Sequence, residues 1–199
     1  LSSDIRPLQR RAPTYIRSLQ LHKVGYCTKI QTLLPHDGGS VPSYIFVSPG
    51  SDPGAGLALV DPMLGSSRPT MGTCRPDLRR MVKPGDHIFV ISGSRGKSIP
   101  QYVIGGMQID EKLEDQLEAL RRLPQNALRF DGNQRSGNII ALPDGTQDPR
   151  DDHSRFETRI KNYVLGKDPI VLETPKEVEI GRDRSVGILS KLFGIEAEL

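Results

Sequence analysis

Apolar positions along this chain switch between strand-like and helix-like periods several times. The run YIFV at 44–47 is dense in β-branched and aromatic residues and predicts a buried strand. HIFVIS at 87–92, QYVIGGMQI at 101–109, NIIAL at 138–142 and PIVLE at 169–173 read the same way, with VEI at 178–180 as a short partner. Helical spacing appears in EKLEDQLEALRRL at 111–123, where Leu113, Leu117 and Leu120 recur four and three apart before Pro124. Residues 75–82, RPDLRRMV, predict a shorter helix with Pro76 in its first turn, and Thr70 to Cys74 a short strand before it. Residues 155–165 read as helical first and extended later. Ser185 is the expected cap of a last helix, SVGILSKLF, with Val186, Leu189 and Leu192 on its apolar face.

Between these segments the chain is dense in turn formers, with 20 Gly and 16 Pro in 199 residues. That excludes a long helical bundle and favours short strands joined by many turns. Gly105-Gly106 marks a bulge or a close backbone approach within its strand. The connection 48–70 is Gly/Pro-rich and more than twenty residues long, and loops of that length are often functional. The fold class expected is α+β, a small curved sheet, mostly antiparallel or mixed, with flanking helices. Three parts are expected: a basic N-terminal arm over 1–34, a domain over 35–184 and a C-terminal helix over 185–199.

Net charge is only +3, yet residues 1–100 carry 13 Lys/Arg against 6 Asp/Glu while 101–199 carry 14 against 18. The first half could therefore meet a polyanion, or its charge could simply be a solvated surface. Residues 1–24 alone hold five basic residues and one acidic, with Tyr15, Ile16 and Leu19 on one face after Pro13. No run approaches the roughly 18 apolar residues of a membrane span, and no signal-peptide pattern is seen at the start. Two cysteines, Cys27 and Cys74, rule out a disulfide scaffold and a CxxC zinc finger, and a cytoplasmic setting is expected.

GSRGKS at 93–98 resembles a phosphate-binding loop only superficially. Ile91 stands where the first glycine is needed, and a strand follows where a helix should start. The histidines and cysteines show no local ligand spacing, so neither a metal nor a cofactor is expected. Cys74 as nucleophile, with His153 as base oriented by Asp151 or Asp152, is one arrangement that remote residues could form. Arg75, Arg79 and Arg80, with Arg68 and Lys83 nearby, form a basic cluster on a short helix. It suits bidentate phosphate contacts, or is a solvated face with an Asp77–Arg80 pair.

The block TMGTCRPDLRRMVKPGDHIFVISGS, at 70–94, resembles the second type of nucleotide-modification-associated domain of bacteria and phages. Thr73-Cys74-Arg75-Pro76, Arg79-Arg80 and Gly85-Asp86 match that family's strand, basic helix and Gly-Asp step. Asp52-Pro53-Gly54 and Asp61-Pro62 occupy its upstream acidic loop loosely. Gly137-Asn138-Ile139-Ile140, His153 and Tyr163-Val164-Leu165 look similar to its downstream features, while Gly166-Lys167-Asp168-Pro169 replaces an expected Phe-Gly step. The resemblance implies a PUA-like fold of the EVE or ASCH kind, a small barrel or curved sheet that binds nucleic acid or a modified base in DNA modification or phage defence. An enzyme on the same fold that modifies or hydrolyses a nucleotide remains the alternative, as does a subunit that docks on proteins through 1–24 and 185–194. The candidate binding residues are Ser48, Asp52, Thr73, Cys74, Arg75, Arg79 and His153. Tyr44, Phe46, Phe89 and Tyr102 are the aromatics available for a base, and there is no Trp.

Overall fold

The computed structural model describes residues 27–30, 42–96 and 99–193. The apolar face and the charge excess expected at 1–24 lie outside them, whereas residues 27–30 of the arm expected over 1–34 form a strand of the main sheet. The strands are β1 (Cys27–Ile30), β2 (Ser43–Val47), β3 (Thr70–Met71), β4 (His87–Ile91), β5 (Val103–Asp115), β6 (Arg129–Asp131), β7 (Gln134–Ser136) and β8 (Lys161–Val171). The helices are α1 (Pro76–Met81), α2 (Gln116–Arg122), α3 (Phe156–Arg159) and α4 (Pro175–Phe193). Six strands form one mixed sheet in the order β1-β2-β4-β5-β8-β3, and β6 and β7 form a separate hairpin. Only β2 and β4 run parallel, and their crossover carries the long loop, β3 and α1. The α+β class holds. Among the described residues β1 and β3 are open edges, so the sheet does not close into a barrel.

Alternation along the strands splits the apolar residues between two faces. Tyr44, Phe46, Ile88, Val90, Ile104 and Ile109 join Met71, Leu78 and Val82 beneath α1 in the larger core. Ile45, Val47, Phe89 and Val103 face the other way and meet Ile91 and Leu189. A third cluster, Leu113, Ala119, Ile139, Tyr163 and Leu165, lies under α2. Gly105 and Gly106 are a close approach, as expected: a Cβ would stand 2.7 Å from the Ile170 oxygen at the first and 2.7 Å from the Ile88 oxygen at the second. No side chain fits there without parting β5 from its neighbours.

Three elements differ from the sequence reading. β5 continues through Asp115, so the segment expected as a helix from 111 is strand for five residues and helix only from Gln116. NIIAL at 138–142 forms isolated bridges rather than a strand. The last helix begins at Pro175, not Ser185, and takes in the VEI segment expected as a strand. The expected domain boundary at 184/185 therefore falls inside α4. Ser185 works within the helix: its hydroxyl donates to the Gly181 carbonyl and accepts from the Val103 amide at 2.8 Å, pinning α4 to β5. An apolar groove of about 470 Å³ lies between α4 and the sheet, bordered by Ile170, Ile180 and Ile188. Among the described residues no helix is long and apolar enough to cross a membrane.

Candidate functional site

The Thr73-Cys74-Arg75-Pro76 step is held from below by one carboxylate. Asp61, buried in the long loop, accepts from the amides of Gly72 at 3.0 Å, Thr73 at 2.9 Å and Cys74, and from the Asn138 side-chain amide at 2.9 Å. A carboxylate accepting several backbone amides behaves as a fixed turn organiser. Asn138 is held in turn by the Tyr163 hydroxyl, which donates to it at 2.7 Å. Its own carbonyl accepts from the Thr73 hydroxyl at 2.8 Å. Gln116 at the start of α2 donates to the Gly72 carbonyl and accepts from the amides of Ile140 and Ala141. A Cβ on Gly72 would stand 2.3 Å from the Asn138 oxygen, so only glycine permits this closeness. The network satisfies every partner it buries and fixes the loop in one place.

This places four of the expected binding residues. Thr73 is buried and its hydroxyl is spent on Asn138. The Cys74 thiol is pushed up to about 12 by burial and by the Asp61 carboxylate, which keeps it protonated and poorly nucleophilic. Arg79 is fully buried, and its guanidinium donates to the carbonyls of Thr73, Cys74, Arg159, Lys161 and Asn162. It is therefore not presented to a phosphate. Acceptors from two chain segments, 73–74 and 159–162, replace the solvent it was expected to face. Arg75 has a positive φ of 50°, ahead of Pro76, and pairs with Asp77 at 2.5 Å, so the Asp77–Arg80 pair does not form among the described residues; Arg80 is exposed.

Ser48 and Asp52 stand elsewhere, at the end of β2. The Ser48 hydroxyl meets that of Ser51 at 2.9 Å. Asp52 is buried and accepts from the Tyr102 hydroxyl at 2.7 Å, with Arg95 at 3.6 Å and Arg182 at 3.7 Å. His153 occupies a third place. Its Nδ1 lies 2.6 Å from an oxygen of Asp151, whose carboxylate is fully buried and also accepts from Arg135 at 2.8 Å and Gln147 at 2.8 Å. Asp151, Asp152 and His153 bring one ligand atom each within 4.8 Å, but Arg135 and Gln147 already occupy both Asp151 oxygens. Asp151 is thus already held by an ion pair with Arg135 and a hydrogen bond from Gln147. Arg159 ties this region to the first, donating to the carbonyls of Thr73 and Ser154.

A cleft of about 550 Å³ takes its walls from three stretches of chain. Residues 53–66 of the long loop supply the apolar floor, including Leu59, Met63 and Leu64. Gln134, Arg135 and Ser136 of β7 form a polar side, and Val171, Leu172 and Glu173 close the end of β8. None of Ser48, Asp52, Thr73, Cys74, Arg75, Arg79 or His153 lines it. They stand behind it: Asp52 precedes the lining Pro53, Asp61 lies between the lining Val60 and Met63, and His153 acts on Arg135 through Asp151. The sequence pointed to the loop but missed Arg135, which lies in a stretch with no periodic pattern, and the organising roles of Asp61 and Gln116. Compared with family models, curated proteins and solved structures, the chain matches none.

Proposed function

We propose that this chain is a nucleic-acid or nucleotide-binding module on a PUA-like scaffold, which takes a base, modified or not, into the cleft between the long loop and β7. The observation that carries the reading is the cleft itself. Its volume of about 550 Å³ suits a nucleoside, its floor is aliphatic, and polar groups reach it from β7, from Ser66 and from Glu173. A base needs an apolar surface for its faces and hydrogen-bonding groups for its edge, and here Met63 and Leu64 offer the first, Gln134, Arg135 and Ser136 the second. The burial of Arg79 moves the phosphate contacts to exposed arginines such as Arg80 and Arg68.

The test is binding of single- and double-stranded DNA 12-mers bearing cytosine, 5-methylcytosine, 5-hydroxymethylcytosine or N6-methyladenine, at two salt concentrations. At least one probe binds, with affinity falling by about 0.9 log units per log unit of salt for each duplex phosphate contacted, about 0.7 on single strands. Ala58→Trp, which fills the cleft from its exposed rim, abolishes binding. No binding to any probe, or binding unaffected by Ala58→Trp, overturns the reading.

A second reading, an enzyme on the same scaffold, is favoured by one arrangement. The buried Asp151 fixes the ring of His153, and the other ring nitrogen has no partner among the described residues. That is how a general base is oriented. The protonated Cys74 thiol removes the cysteine-nucleophile version, so the base would act on water. Turnover of a bound nucleotide that disappears in His153→Gln, with binding retained, would favour this reading over the first.

A further inference from the structure

The β6–β7 hairpin carries an aromatic ring that the fold does not use. Phe130 is 40% exposed, and among the exposed large hydrophobics of the described residues it is the one aromatic. Ile170, Ile180 and Ile188 border the α4 groove, Val60 lines the cleft, and Leu57 and Ile99 stand singly on loops. Phe130 instead sits near the tip of a hairpin whose residues 129–134 are all exposed. The register pairs it directly with Arg135, so the two side chains project from the same face of the hairpin. Arg135 lines the cleft. Phe130 therefore stands level with Arg135, one strand over from the β7 wall of the cleft.

The ring is flanked by charges of both signs, with Asp131 next to it in the chain. The Arg150 guanidinium lies over it, 5.6 Å from the centroid, and is itself fixed by two hydrogen bonds to Asp148, at 3.0 and 2.7 Å. Arg129 precedes it and is exposed. A ring that is partly exposed and braced by a fixed guanidinium is a surface on which a base can stack.

We propose that Phe130 is a stacking platform for a second base, next in the strand to the one in the cleft, so that the ligand is an unpaired or flipped-out stretch of at least two nucleotides and not a free nucleoside. The proposal deepens the base-binding reading and rests on it. Its test compares wild type, Phe130→Ala, Phe130→Trp and Ala58→Trp for binding of the single-stranded 12-mers above and of the matching mononucleoside monophosphates, with thermal melts to confirm folding.

Phe130→Ala weakens oligonucleotide binding by about tenfold, the order expected for one lost base–aromatic stack, and leaves mononucleotide binding and the melting temperature unchanged. Phe130→Trp restores or strengthens oligonucleotide binding. If Phe130→Ala binds oligonucleotides like wild type while Ala58→Trp abolishes binding, the platform is refuted and the cleft reading stands. If Phe130→Ala weakens oligonucleotides and mononucleotides equally, the second-base assignment is refuted. Wild type that binds no probe refutes both.

Discussion

Arg79 and Arg135 look alike in the sequence and do opposite work. Arg79 carries a charge into a place without water, where five carbonyls accept its hydrogen bonds and burial pulls its guanidinium down to about 10, still fully charged at neutral pH. Removing it leaves several buried carbonyls unsatisfied. Arg79→Met should cost about 3 kcal/mol, a Tm loss of roughly 6–12 °C in calorimetry, and leave the salt slope of any nucleic-acid binding unchanged. Nothing in the local sequence separates it from a surface arginine. Its spacing of four from Arg75 suits a solvated helix face, and three of its acceptors lie about eighty residues further on, where only the folded chain brings them. Arg135 was invisible for the complementary reason. Its partner Asp151 and its place on the cleft wall are both non-local. Asp61 was legible in part, as an acidic residue before Pro62 in a long loop, but its four amide donors were not.

Among the elements, β2, β4, α1 and the passage from α3 to β8 lie close to where their apolar patterns put them. There, one period fits and the alternative does not. The joint of β5 and α2 shows where a pattern fails. Ile109, Leu113 and Leu117 are four apart, a spacing that puts residues on one face of a strand as well as one face of a helix. Pairing with β8 as far as Asp115–Lys161 decides for strand. Asp115 then ends it by capping α2, its carboxylate accepting from the amides of Leu117 and Glu118 at 3.0 Å each. Asp115→Ala should destabilise by about 1 kcal/mol in urea titrations, and Asp115→Asn, which keeps an accepting oxygen, by clearly less. Equal losses would assign the effect to the Lys161 ion pair at 3.3 Å instead.

At the scale of the molecule, buried acids, Cys74 and Tyr163 foremost, give stability a pH dependence on the alkaline side. The Cys74 thiol is raised from 9.0 to about 12 and the Tyr163 hydroxyl from 10.0 to about 12, both chiefly by burial. Folding holds their protons after the unfolded chain has released them. Their contribution is fully present below about pH 9 and is lost as pH rises toward 12. Urea midpoints should fall from about pH 9 upward in wild type, and the fall should begin nearer 10 in Cys74→Ala, where the raised hydroxyls of Tyr163 and Tyr102 remain. The cleft, too, belongs to this scale, since its three walls stand at 53–66, 134–137 and 171–173. A ribosome has made most of the chain before the last wall exists. The Asp61 anchor and the buried Arg79 wait on the same late segments. Competence for the proposed ligand thus arrives in one step once residues 171–173 have been made, and a shorter product lacks it. The same division makes the exposed turn at Gly132-Asn133 a natural place to cut the chain into two silent halves whose meeting would be reported by ligand capture.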